Sequence, residues 1–138
     1  MKQKKILLIF QNAYSGRGRV LKLNKAVYGT DAINRKNATY SRVIPHLEPH
    51  FNISITECTP MVATNSKDKF PTDLKWMKRA IDHDKWDLVI AFGSQAHQAI
   101  QDLGITDAEL LPHPVSYKWR KQLILDIVEK HTTITEEI

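Results

Sequence analysis

A single cysteine, Cys58, is the whole thiol content of this 138-residue chain. One thiol can neither close an internal disulfide nor supply the ligands of a zinc or iron–sulfur centre. The chain is therefore expected to work in a reducing, intracellular compartment, the cytoplasm, with no metal and no cofactor. Long hydrophobic runs are missing as well: no apolar stretch is longer than five residues, as at Ile6–Phe10. A membrane helix needs about 20 and a signal-peptide core about 7–15, so neither is expected despite Lys2, Lys4 and Lys5. The glycines build no nucleotide loop. Gly16-Arg17-Gly18 is followed by no Gly-Lys-Ser or Gly-Lys-Thr and lacks the third glycine of a dinucleotide fingerprint. No Gly-x-Ser-x-Gly elbow surrounds Ser94, which argues against a serine hydrolase. Finally, the first thirty residues contain no acid, while they carry Lys2, Lys4, Lys5, Arg17, Arg19, Lys22 and Lys25; the first carboxylate is Asp31.

What is present has the balance of a globular protein: 42% apolar and 25% charged residues, with a net charge of +5. At this length one domain, residues 1–138, buries enough surface for a single core, and residues 132–138 read as a frayed tail. The one-signed first segment suits a polyanion, nucleic acid above all, although a solvated basic face kept for solubility reads the same way.

Short apolar runs alternate with helical patterns. Lys4 to Phe10 reads as a buried strand, Phe51, Ile53 and Ile55 as an alternating one, Trp86 to Phe92 as the clearest, and Glu109 to Leu111 as a short fourth. Helices are expected over Asn37 to Leu47, after a Thr72 cap, after a Ser94 cap with Gly104 as its stop, and after a Ser116 cap. Gln11 to Arg19 and Cys58 to Pro71 read as loops. This alternation predicts a three-layer α/β/α sandwich around a mostly parallel, about four-stranded sheet. Ligands of such sheets bind beyond the carboxyl ends of the strands. The loops at those ends are Gln11 to Arg19, the segment from Cys58, Gly93-Ser94 and Pro112 to Tyr117.

His46 and His50 are four apart, a metal-ligand spacing, but Pro49 interrupts the helix between them. His83 lies between Asp82 and Asp84 and reads as a solvated helix end. His113 is held between Pro112 and Pro114, whose fixed φ angles stiffen the loop, as a catalytic or a structural histidine would require. Gly93-Ser94 offers backbone N–H groups at a helix start, which fits an anion or an ordinary strand-to-helix turn.

Four motifs in order resemble the uracil-DNA glycosylase superfamily, over about Lys5 to Lys130. Phe10-Gln11-Asn12-Ala13-Tyr14 is similar to its first motif, Gly-Gln-Asp-Pro-Tyr in one branch and Gly-x-Asn-Pro in others. Ile55-Thr56-Glu57-Cys58-Thr59-Pro60 resembles the strand leading to Lys-Cys-Arg-Pro. Trp86 to Ala96 resembles the strand and Gly-Ser-Tyr-Ala turn that grips DNA phosphate, and Leu111 to Ser116 resembles the His-Pro-Ser motif.

The resemblance implies roles. Asn12 positions the attacking water, and His113 hydrogen-bonds the base carbonyl as the base departs. Gln11 and Tyr14 border the base, Tyr14 blocking a thymine methyl group. Ser54, or Asn52 two residues away, reads the base edge, and Tyr28 is a stacking aromatic. Arg17, Arg19, Gly93, Ser94, Ser116, Lys118 and Arg120 contact DNA, with Tyr117 or Trp119 filling the space of the extruded base. The implied function is hydrolysis of the N-glycosidic bond of uracil or a related damaged base in DNA, a repair reaction that proceeds by base flipping. Phe10 replaces the motif glycine, Ala13 the proline and Ser54 the asparagine that reads the uracil edge. These departures favour a rival reading, an inactive DNA-binding module with the same fold. A further rival is an enzyme acting on free nucleosides or nucleotides.

Overall fold

The computed structural model describes residues 3–11, 13–14, 21–63 and 70–132, with the backbone alone at 13–14 and 21–22. In chain order the strands are β1 (Lys4–Phe10), β2 (Ala13–Tyr14), β3 (Leu21–Lys22), β4 (Tyr28–Gly29), β5 (Phe51–Glu57), β6 (Met61–Ala63), β7 (Leu88–Phe92) and β8 (Glu109–Leu111). The helices are α1 (Ala38–Ser41), α2 (Ile44–Leu47), α3 (Leu74–Asp82), α4 (Ser94–Asp102) and α5 (Lys121–Thr132). The main sheet has the order β4-β5-β1-β7-β8. Its four longer strands run parallel, and β4 closes one edge antiparallel to β5. This is the expected mixed α/β architecture, with the antiparallel edge strand added.

Register decides what each face buries. Ile6 pairs with Ile53 and Leu88, and Leu8 with Ile55 and Ile90, so apolar side chains share one face across three strands. That face packs Ile6, Leu8, Phe10, Ile53, Ile55, Ile90 and Phe92 on Val43, Ile44 and Leu47 around α2 and on Ile124 and Ile127 of α5. The alternate residues Leu7, Ile9 and Ala91 face the other way, onto Met77 and Ala80 of α3 and Ala96, Ala99 and Ile100 of α4. β1 sits at the centre, buried on both faces, which is why its sequence is continuously apolar rather than alternating.

Several local expectations are corrected. Asn37 to Leu47 forms two one-turn helices because Pro45 has no N–H and its ring would clash with the carbonyl of Ser41. Asn37 Oδ1 caps the first of them, accepting from Thr39 N at 2.8 Å. Asp73, not Thr72, caps α3, accepting from Trp76 N at 3.0 Å. Thr72 Oγ1 instead accepts from Gln95 Nε2 at 2.9 Å. Gly93 takes the cap position of α4, so Ser94 lies in the first turn. Helix α5 begins at Lys121. Ser116 belongs to a separate turn, its Oγ accepting from Lys118 N at 3.2 Å.

The two segments read as loops also pair with each other. β2 runs parallel to β6, and β3 antiparallel to it, giving a three-stranded ribbon built from the chain leaving β1 and β5. Cys58 N, donating to Phe10 O at 2.9 Å, ties the base of that ribbon to the main sheet. Among the described residues no helix is long and apolar enough to cross a membrane.

Candidate active site

The parallel strands β5, β1, β7 and β8 end in Glu57, Phe10, Phe92 and Leu111. Phe10 stacks on Phe92 with centroids 4.8 Å apart and planes 6° from parallel. Tyr40 meets Phe10 edge-on at 5.3 Å, and Trp119 leans on Phe92 at 6.2 Å. Aromatic rings therefore cap the core at the carboxyl edge of the sheet.

Glu57 is part of this layer. It follows Phe51, Ile53 and Ile55 in the alternation of β5, so its side chain takes the core face, and its exposure is 0%. The hydroxyl of Tyr28, from β4, donates to Glu57 Oε1. The Tyr40 hydroxyl reaches the same oxygen at 3.4 Å. Oε2 is buried without a hydrogen-bond partner among the described residues. Loss of water raises the Glu57 carboxyl to about 8, against the weaker opposing effect of the two phenols. Burial and the neighbouring carboxyl push the Cys58 thiol up to about 12, so it is no thiolate nucleophile near neutral pH.

His113 follows β8 on the same edge. Its Nδ1 accepts from Val115 N at 3.2 Å. That bond places the proton of the neutral ring on Nε2, leaving a donor N–H. Partial burial lowers the His113 pKa by desolvation, which favours the neutral ring. Gly93 backs the histidine. Its N–H donates to Leu111 O at 2.9 Å, and a Cβ built on it would lie 3.4 Å from His113 Cβ. Its φ of 89° with ψ of 166° belongs to a region that only glycine enters freely. Gly93→Ala should therefore cost about 1–3 kcal/mol in urea denaturation. An unchanged midpoint would show that the turn relaxes without strain.

Sequence reasoning missed His97, Tyr40 and Glu57. His97 Nε2–H is shared between Ala91 O at 3.0 Å and Leu111 O at 2.7 Å, clamping the ends of β7 and β8 two residues before His113. For Glu57 a signal existed, a carboxylate in phase with the buried face of a strand.

The expected site residues divide clearly. Tyr28, Gly93, Ser94 and His113 lie along the carboxyl edge, and Gln11 directly follows β1 there. The backbone of Tyr14 pairs with Ala63 in the ribbon. Asn12, Arg17 and Arg19 lie outside the described residues. Register sets Asn52 beside Lys5 near the amino end of the strand pair and Ser54 beside Leu7 at its middle, and both alternate away from the face that Glu57 shares with Phe10. In the segment after His113, Tyr117 is 85% exposed, with Lys118 Nζ 5.8 Å from its ring centroid. Trp119 turns inward onto Phe92, so of the two expected gap-filling aromatics Tyr117 is the one presented to solvent. Arg120 Nη1 donates to Tyr117 O at 2.9 Å and Trp119 O at 2.8 Å, bracing that segment. No group of three or more His, Cys, Asp or Glu side chains converges as a metal site among the described residues. No family model matches the chain, and neither a curated protein nor a solved structure is found to be similar to it.

Proposed function

We propose that the protein is a DNA glycosylase-like enzyme that hydrolyses the N-glycosidic bond of uracil or a related damaged base in a flipped nucleotide. The observation that carries this reading is the state of His113: a neutral imidazole, its Nδ1 occupied by Val115 N–H, offering Nε2–H at the carboxyl edge of a parallel sheet. Cleavage of the bond between sugar C1′ and the base nitrogen leaves negative charge on the base and positive charge on the sugar. A fixed N–H at the base carbonyl lowers that barrier without reorganisation. Water then adds its oxygen to C1′ and its proton is lost, while the base anion gains one, so the products are free base and an abasic sugar. Asn12 would orient this water, since an amide cannot act as a strong base.

Uracil-containing oligonucleotides, assayed for alkali-labile abasic sites, test this reading. Cleavage should occur with the wild type and be strongly reduced in Asn12→Ala. Tight DNA binding without any abasic product would favour the inactive binding module instead. The seven bases before Asp31 and the cluster Lys118, Arg120 and Lys121 set a further expectation. If about four phosphates are neutralised, log K for duplex DNA should fall against log salt with a slope of roughly −3 to −4. An affinity indifferent to salt would remove the phosphate-dominated mode.

A further inference from the structure

We propose that the amino edge of the main sheet carries a docking cleft for a basic segment of a partner protein, which inserts one arginine side chain. The inference is independent of the glycosylase reading. A cleft of about 250 Å³ opens between the end of α3, the start of β7 and the chain entering β8. Trp86, Val89 and Ile105 form its apolar walls, and Asp84, Asp87 and Asp107 its acidic rim. Asp84 and Asp87 precede β7 and Asp107 precedes β8, whereas His113 follows β8. These strands are parallel, so the cleft and the proposed active site lie at opposite edges of the sheet. Small ligands of such sheets bind at the carboxyl edge, in sites of ~300–1,000 Å³. This cleft lies on the other edge and is smaller, which fits one side chain of a macromolecule better than a whole metabolite.

Charge selects the occupant. Lys5 Nζ donates to Asp84 Oδ2 at 2.9 Å and Lys85 N donates to Oδ1 at 2.8 Å, so both oxygens of Asp84 are engaged. Asp87 accepts from Lys5 N through Oδ2 at 2.7 Å, and its Oδ1 has no partner among the described residues. Asp107 forms no hydrogen bond or ion pair among the described residues. Two carboxylates are thus left to face a cation, and the same charges repel a nucleic-acid phosphate. The indole N–H of Trp86 is already given to Ala80 O and Ile81 O at 3.1 Å, so its ring presents carbon surface alone. A guanidinium suits this mixture. It is planar and weakly hydrated, it carries five donors for two carboxylates, and its stem lies on apolar walls. A lysine ammonium, compact and strongly hydrated, gains less from them.

The probe is the end-capped tripeptide Gly-Arg-Gly, titrated into the isotope-labelled full chain and followed by its amide and indole resonances. Gly-citrulline-Gly serves as the uncharged isostere and Gly-Lys-Gly as the compact cation. The arginine peptide should give saturable shifts centred on the Trp86 indole and the Val89, Ile105 and Asp107 amides, with a Kd on the order of 1 mM, as for a single seated side chain. The lysine peptide should bind several-fold more weakly, and the citrulline peptide should not saturate. Asp107→Asn removes a carboxylate with no partner to lose, and should weaken the arginine peptide about 2–5-fold, as for one exposed ion pair. Asp107→Lys places like charges together and should raise Kd at least ~10-fold. Thermal melting confirms that both variants keep the fold. Equal shifts from the citrulline peptide, Asp107→Lys binding at wild-type strength, or shifts that never saturate would each overturn the proposal. So would a duplex oligonucleotide that moves the same amides, since the cleft would then belong to a nucleic-acid face.

Discussion

The wild-type protein should lose stability steadily as pH rises from about 5 to 8, and Glu57→Gln should abolish that slope. In the unfolded chain the Glu57 carboxyl returns to its ordinary value of 4.5, whereas in the folded protein it lies at about 8. Between these values the folded state holds a proton that the unfolded state has released. Raising pH therefore favours unfolding. The contribution is fully present below 4.5, is lost as pH rises, and is gone above 8, where the fold must accommodate a buried carboxylate. Over the whole window the loss is on the order of 5 kcal/mol, a large share of the ~5–15 kcal/mol that holds a domain together. Groups of opposite sense, His113 among them because burial lowers its pKa from 6.5, are shared by both proteins, so the difference between their slopes isolates Glu57. Glu48 and Asp84 are held below their usual range by hydrogen bonds from Arg35 and Lys5, and Glu109 by one from Lys130, so they act only in acid. Urea denaturation of both proteins at several pH values is the measurement. Parallel slopes in the two would place Glu57 in contact with water.

Replacing His113 with alanine should lower uracil excision by about 10²–10³-fold, the usual cost of one preorganised donor at a developing anion, while leaving DNA affinity within a few-fold. The pH profile carries the finer expectation. Protonation puts a second N–H on Nδ1, which then faces the N–H of Val115, two donors 3.2 Å apart. Activity should accordingly fall as the ring charges in acid, at a pH below 6.5 because burial lowers the His113 pKa. Single-turnover rates on a uracil oligonucleotide read both effects. A His113→Ala enzyme within threefold of the wild type would take the histidine out of the chemistry, and with it the observation on which the proposed function stands.

Strand positions were legible because apolar runs report burial directly. Lys4 to Phe10 and Glu109 to Leu111 fall where the sequence puts them. β7 starts at Leu88 rather than Trp86, whose indole N–H is instead occupied by Ala80 O and Ile81 O at 3.1 Å. Helix starts were less legible, since Thr72, Ser94 and Ser116 are all competent caps by type, and only the path of the backbone decides which hydroxyl meets an unpaired N–H. Parity separates Asn52 and Ser54 from the buried face of β5. Asn52 and Ser54 are polar types suited to an amide edge, but in a strand they alternate with Phe51, Ile53, Ile55 and hence with Glu57. Continuing the apolar alternation by one step would have reached Glu57, which its charge makes look like the solvated end of the strand.

The sequence by itself determined the α/β class, the central buried strand, the basic first segment and the stiff Pro112-His113-Pro114 turn, because these follow from local composition and periodicity. Only the tertiary structure decided that Tyr28 and Tyr40, from segments 29 and 17 residues before Glu57, converge on one of its oxygens and leave the other unpaired. It also decided that His97 joins the ends of two strands, and that Tyr117 rather than Trp119 faces solvent. The reason is physical. Hydrogen-bond partners and dielectric environment are properties of the packed neighbours around a side chain, and strand pairing and helix packing bring those neighbours together from positions too far apart for any local pattern to encode.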